Sequence, residues 1–220
     1  MLVASDESVR QDINEEVVLD VHLNSQLLFN KYAKTLFKSG FRVLEIGPDK
    51  LPSSFCEEVS DTSIDWETLE YVSSEKFFTS DNLTERLTYT TRDPYCFPIP
   101  DNTFDVIVSA NVIEHVRKIW EWTPEVARIC KPGGCIITIN PVSWPYHEAP
   151  VDCWRIYPEG MKALYDSAGI EIKTSAFESL VPPTYTAYHL LKQGLKRAIG
   201  IRPWLVQPDV IDTIAIGIKR

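Results

Sequence analysis

Strand-length runs of Val and Ile that stay apolar on consecutive positions, separated by helical stretches, restrict this chain more than any other feature. Phe104–Ser109 is rich in Val and Ile, and Cys135–Ile139 is apolar throughout. A strand with one solvated face alternates apolar and polar residues; one that is apolar on both faces is covered on both. Further strands are predicted at Phe41–Ile46, Ile64–Leu69, Leu87–Thr91, Ile170–Ser175 and Ile211–Ile218. Helices are predicted between them. Residues 12–38 repeat apolar side chains at roughly helical spacing and stop at Ser39-Gly40. Ile113–Trp120 reads as helical. Thr123-Pro124-Glu125 reads as the start of another helix, with a hydroxyl cap, proline at the first position and an acid in the first turn, and Lys131-Pro132-Gly133-Gly134 as its end. Pro158–Ala168 is predicted as a helix closed by Gly169, and Thr186–Ala198 as a basic amphipathic one. Strands alternating with helices predict a doubly wound α/β domain whose ligand site lies outside the carboxyl ends of the strands. At 220 residues a single domain, 1–220, is expected: a helical cap over 1–40, a core over 41–180, and an inserted helix with the last strand over 181–220.

Charge narrows the partners. There are 22 Lys and Arg against 31 Asp and Glu, a formal charge of -9. An acidic surface repels phosphate backbones, so no nucleic-acid partner is expected. The excess is uneven: beyond Val181, six basic residues face two acidic ones. Thr186–Ala198 is the segment that could meet a membrane surface or a partner, or pack beside the last strand. No run of about 18 apolar residues predicts a transmembrane segment. Five cysteines without a CxxC pair argue against a disulfide framework and against a zinc site, and buried thiols are expected. The first seven residues lack the basic and apolar stretches of a signal peptide, and a cytoplasmic protein is expected.

The chemistry-bearing residues follow the strands. Arg42-Val43-Leu44-Glu45-Ile46-Gly47-Pro48 is a strand entering a tight turn, where glycine lets backbone approach a ligand closely and an acid can accept from a cationic amine. Trp66-Glu67-Thr68-Leu69-Glu70 ends a second strand in an acid placed to take a ribose diol. Arg92-Asp93-Pro94-Tyr95-Cys96-Phe97-Pro98-Ile99-Pro100-Asp101-Asn102-Thr103-Phe104-Asp105, Ser109-Ala110-Asn111-Val112-Ile113-Glu114-His115-Val116 and Ala127-Arg128-Ile129-Cys130-Lys131-Pro132-Gly133-Gly134 come next in order. With that series the chain resembles the Rossmann-like, class I S-adenosylmethionine-dependent methyltransferases, over roughly residues 41–175. The resemblance implies a seven-stranded, mostly parallel sheet with an antiparallel last strand, and S-adenosylmethionine as cofactor with S-adenosylhomocysteine as product. It implies that Glu45, Gly47 and Pro48 lie against the methionine part, that Glu70 binds the ribose (Asp65 if the strand ends earlier), that Asp93 binds the adenine amine, and that Ser109 and Asn111 line the sulfonium side. Two departures stand out: only Gly47 remains of a usually glycine-rich turn, and Pro94 has no N–H for adenine. Tyr95 is expected to supply that N–H or to stack its ring.

The stretch after the fifth strand, Asn140 to Pro158, concentrates Trp, Tyr, His, Asp and Arg between prolines. Aromatic faces pack on the C–H faces of sugars, and Asp and Arg bond hydroxyls. Trp144, Tyr146, Glu148, Trp154 and Arg155 are the expected acceptor-binding residues; Trp120 and Trp122 serve there or in the core. The stretch resembles those of methyltransferases that accompany polysaccharide and glycolipid assembly, which implies O-methylation of a sugar or glycan hydroxyl, with a deoxyhexose such as rhamnose among the candidates. Removing the hydroxyl proton needs a base, and neutral histidine suits it. His147 is the first choice, oriented by Glu148 or Asp152; His115 is second, and Asp152 itself is a third. An acid pair such as Asp152 with Glu148 could hold a divalent ion, but no ligand cluster is evident and no metal is expected. A methyltransferase for another small molecule and a non-catalytic cofactor-binding module are the competing readings.

Overall fold

The computed structural model describes residues 23–72, 87–147, 151–181 and 210–220. Glu148, the segment Thr186–Ala198 and the first part of the helix predicted over 12–38 lie outside the described residues. Helix α1 occupies residues 23–32 and a single 3-10 turn, Lys34–Leu36, follows it. The strands are β1 (Arg42–Ile46), β2 (Asp65–Tyr71), β3 (Tyr89–Thr91), β4 (Phe104–Ala110), β5 (Cys130–Pro141), β6 (Ile170–Glu178) and β7 (Asp212–Lys219). The helices between them are α2 (Ser54–Val59), α3 (Ile119–Ile129) and α4 (Pro158–Ser167).

One seven-stranded sheet results, in the order β3-β2-β1-β4-β5-β7-β6. β7 runs antiparallel to both β5 and β6, and the other pairings are parallel. This is the predicted doubly wound sheet with its antiparallel last strand. The strand order reverses at β1, whose neighbours are β2 and β4, so the crevice for a ligand opens where β1 and β4 end. Two apolar clusters cover the two faces. Leu44, Ile107, Ile136 and Tyr165 belong to one, while Val43, Val106, Val108, Ile137 and Phe29 belong to the other. Adjacent residues of β1 and β4 thus serve opposite faces, which is why these strands read as apolar throughout.

Predicted boundaries on both sides of α3 shift. Ile113–His115 is a 3-10 turn, and α3 begins at Ile119, so Pro124 lies inside the helix rather than at its start. The missing proline N–H would have met the carbonyl of Trp120, a residue 56% exposed, which water can satisfy. Thr123 Oγ1 donates back to the Ile119 carbonyl (2.8 Å) instead of capping. Lys131–Gly134 forms a bulge within β5: the pairing jumps from Phe104–Cys130 to Val106–Cys135. Gly134 is required there, because a Cβ would stand 2.7 Å from Cys130 Sγ and 2.8 Å from the Lys131 carbonyl. All five cysteines are free; Cys130 and Cys135 are buried as expected, whereas Cys96 and Cys153 are exposed.

The loop from Phe97 to Asp101 is tied down from α3. Arg128 holds Glu125 through two bonds of 2.7 Å and reaches the carbonyls of Ile99 (2.8 Å) and Phe97 (3.2 Å) and the Asp101 carboxylate (2.6 Å). Glu125 in turn accepts from the Phe97 N–H at 2.5 Å.

Candidate active site

Gly47 sits at the switch point with φ +71°, and its N–H donates to the Leu69 carbonyl at 3.0 Å. A Cβ built there would lie 2.4 Å from Val112 Cγ2, so the loops after β1 and β4 touch at this residue. Gly47→Ala is therefore expected to lower stability by about 1–3 kcal/mol, from the left-handed backbone and the overlap together. Urea unfolding measures it, and adding Val112→Ala is expected to restore the steric part alone.

Glu45 is buried, and its carboxylate accepts from Ser53 Oγ and from Trp66 Nε1 (3.0 Å). Burial pushes it up to about 7 against the pull of those two bonds. Ser53 also caps α2 by accepting from the Cys56 N–H at 3.1 Å. Glu45 thereby braces the turn that carries Gly47 and Pro48.

Glu70 lies at the carboxyl end of β2, half-buried, with the Tyr71 N–H donating to one oxygen at 2.8 Å. Burial pushes this acid too up to about 7. Asp65 stands at the other end of the strand, 3.6 Å from Arg42. Because β2 continues to Tyr71, Asp65 is about 17 Å of strand away from Glu70 and does not share the crevice. Asp93 folds back so that Oδ1 accepts the Tyr95 N–H at 2.9 Å. That N–H, expected to meet adenine, is taken by Asp93 itself, and Pro94 has none to give. The Tyr95 ring has Lys118 Nζ 5.4 Å from its centroid.

At the end of β4, Ser109 Oγ is buried without a hydrogen-bond partner in the protein, and Asn111 takes φ +54° while bonding Ser25 Oγ at 3.2 Å. Beyond it Glu114 is 1% exposed, and neither carboxylate oxygen has a hydrogen-bond partner. Burial pushes Glu114 up to about 8. Asp212, also fully buried, accepts from Asn24 Nδ2 at 2.9 Å through one oxygen and leaves the other without a partner. Sequence reasoning did not single out Glu114 or Asp212. Neither residue type nor spacing marks a buried acid; only the fold does.

The stretch after β5 lies against this turn. The Cys153 N–H donates to the Glu114 carbonyl (2.7 Å), His115 Nδ1 meets the Val151 carbonyl (2.5 Å), and Trp154 Nε1 donates to the Val116 carbonyl (2.8 Å). The result brings together the two histidines expected as bases, whose rings meet edge to face with centroids 5.0 Å apart. Asp152 receives Arg155 through two bonds of 2.5 and 2.6 Å and the His147 N–H at 2.8 Å, with His147 Nδ1 at 3.3 Å. Burial would raise Asp152, but Arg155 and the His147 N–H hold it below the usual carboxylate range. Burial likewise holds His115 below the usual imidazole range, so it is neutral at pH 7.

Of the residues expected to bind an acceptor, Arg155 also donates to the carbonyls of Trp144, Pro145 and Trp154. Its guanidinium and the Trp154 indole N–H thus hold the loop together. Tyr146 is 71% exposed and Trp144 half-buried. Trp122, 2% exposed, is core, whereas Trp120 lies on the surface with its ring 6.1 Å from that of Trp154. The groove between α1 and α2, lined by Gln26, Lys34, Lys50 and Glu57, contains none of these residues.

Comparison with known proteins finds matches to a methyltransferase domain and to methyltransferase folds. Residues 50–138 match a family model described as a methyltransferase domain. The chain is similar to a Mycolicibacterium smegmatis protein named as a probable S-adenosylmethionine-dependent methyltransferase, with 25% identity over 118 residues, 49% of this chain and 46% of that protein. Of the first curated relatives, matched over shorter stretches, it spans 20% and 16% of the length. A SAM-dependent methyltransferase from Aquifex aeolicus superposes with a TM-score of 0.54 at 16% identity, covering 97% of this chain and 99% of that one. Haemonchus contortus phosphoethanolamine N-methyltransferase 2, solved with S-adenosyl-L-methionine, gives 0.54 at 13% identity, covering 90% and 52%. At such identities the structural likeness is one of fold. The family match over residues 50–138 and the fold support S-adenosylmethionine as the cofactor. The residues present fit that molecule: a left-handed glycine for close backbone approach, an acid at the end of β2 for the ribose diol, and an unpartnered Ser109 hydroxyl at the end of β4.

Proposed function

We propose that the chain methylates a hydroxyl of a sugar or glycan, with S-adenosylmethionine as the methyl donor. The observation that carries this reading is the pair of imidazoles at the ends of β4 and β5. Each has Nδ1 beside a carbonyl or carboxylate oxygen, which leaves Nε2 as the basic nitrogen. When bound, S-adenosylmethionine supplies an electrophilic methyl group on a positively charged sulfur. As the acceptor oxygen takes that methyl, its proton must leave, and in this reading His147 Nε2 receives it. Asp152, fixed by Arg155, orients His147 and is itself a weak base, because it is held ionised and paired. Gly47, Pro48 and the braced turn lie toward the methionine end; Glu70 takes the ribose; Asp93 and Tyr95 border the base; Ser109 and Asn111 border the sulfonium.

Exposed rings support a sugar as acceptor. Tyr146, Tyr157 and Trp120 present aromatic faces around the stretch after β5, and such faces suit the C–H faces of pyranosides. Labelled methyl transfer to rhamnosides and other glycosides, run beside phenols, carboxylic acids and amines, tests the reading. Glycosides are expected to be labelled. Preferential labelling of another class overturns the sugar assignment, and absence of S-adenosylmethionine binding in calorimetry overturns the enzyme reading.

A further inference from the structure

The geometry points to a divalent-cation site formed by Glu114, His115 and His147, with an N2O donor set suited to Zn2+ or a related first-row transition ion. One ligand atom from each residue lies within 4.8 Å of the others, and His115 Nε2 stands 3.8 Å from Glu114 Oε1. A tetrahedral ion with bonds near 2.0–2.2 Å keeps its ligand atoms about 3.3 Å apart, so the histidine and the acid need to close by roughly half an ångström.

Three features separate this cluster from an accidental meeting of polar side chains. Glu114 is 1% exposed, yet both its oxygens lack a hydrogen-bond partner. Burying a carboxyl without compensation is costly, and a cation would supply the compensation. Both histidines are oriented as ligands are: His115 Nδ1 lies 2.5 Å from the Val151 carbonyl, and His147 Nδ1 lies 3.3 Å from Asp152 Oδ2. An acceptor on Nδ1 fixes the tautomer and leaves the Nε2 lone pair for a metal. Asp152 is itself fixed by Arg155, giving a carboxylate–histidine–metal chain with a further anchor behind it. Finally, three protein ligands leave a tetrahedral ion one open position, the arrangement of catalytic rather than structural sites. The ligands come from two loops, which is why no run of spaced ligands announces the site.

This site goes beyond the acceptor assignment and is tested without acceptor or methyl donor. Metal-stripped protein is titrated with Co2+ and with Zn2+, followed by calorimetry and, for Co2+, visible absorption. The expected result is one equivalent bound, with ligand-field bands of a nitrogen and oxygen shell and no sulfur charge-transfer band. Glu114→Gln and His147→Ala are each expected to weaken binding by at least about 100-fold, and Asp152→Asn by about 10- to 100-fold. No binding overturns the site. So does unchanged binding in both ligand variants, or a sulfur band, which would place the ion on the exposed thiols of Cys96 or Cys153. The wild-type spectrum decides the question even if a variant fails to fold.

Discussion

His147→Ala is expected to cut methyl transfer by about 100- to 10,000-fold while leaving the affinity for S-adenosylhomocysteine within about twofold. The imidazole belongs to the stretch after β5, not to the residues proposed to bind the cofactor, and it contacts the protein mainly through Asp152 and His115. Removing it leaves Gly47, Glu70 and Ser109 where they are, so cofactor binding should survive. The loss follows whether Nε2 takes the proton itself or holds a cation that polarises the acceptor. Turnover with saturating donor, beside calorimetric binding of the product cofactor, separates the two quantities. Wild-type turnover would remove His147 from the chemistry; lost cofactor binding would make its role structural.

The largest effect on stability is expected at Arg128. Arg128→Ala should cost about 3 kcal/mol, read as a lower denaturant midpoint at constant m-value. Glu125 is 8% exposed and depends on the guanidinium for two bonds. Burial would raise Glu125, but those bonds hold it below the usual range, so removing them leaves an uncompensated buried acid. The same guanidinium bonds two carbonyls of the Phe97–Asp101 loop. Arg128→Lys is expected to recover only part of the loss, because an ammonium cannot reproduce the planar fork. An alanine variant as stable as wild type would show that the loop holds itself.

The two variants also mark what the sequence made legible. β1, β4 and β5 were readable because they serve two apolar faces at once, a pattern local to each strand. The start of α3 was not, since Pro124 looks like an N-terminal residue, and only the exposure of Trp120 explains how the helix passes through it. Gly47 and Glu70 were readable because strand ends and turns are local. Arg128 stood in a recognisable stretch, but its loop-tying role lies in contacts some thirty residues distant, such as that with Phe97. Glu114 was the hardest to read: what distinguishes it is burial without a partner, a property of the folded environment and not of the residue. His115 and His147 were each identifiable, but their meeting depends on the hydrogen bonds that lay the stretch after β5 against the turn after β4.

The polar bridge from α1 has a further consequence. Asn24 and Ser25 bond Asp212 at 2.9 and 3.4 Å, and Ser25 also reaches Asn111. The contact with Asp212 spans 188 positions of sequence. It closes a very long loop, whose entropic cost must be met before the bond gives anything back. The bonds from α1 to Asp212 therefore cannot form until β7 has been synthesised and inserted between β5 and β6. Local contacts such as those within the Phe97–Asp101 loop can form while the chain is still growing. The long-range bonds of α1 to Asp212 are therefore expected among the late contacts of folding.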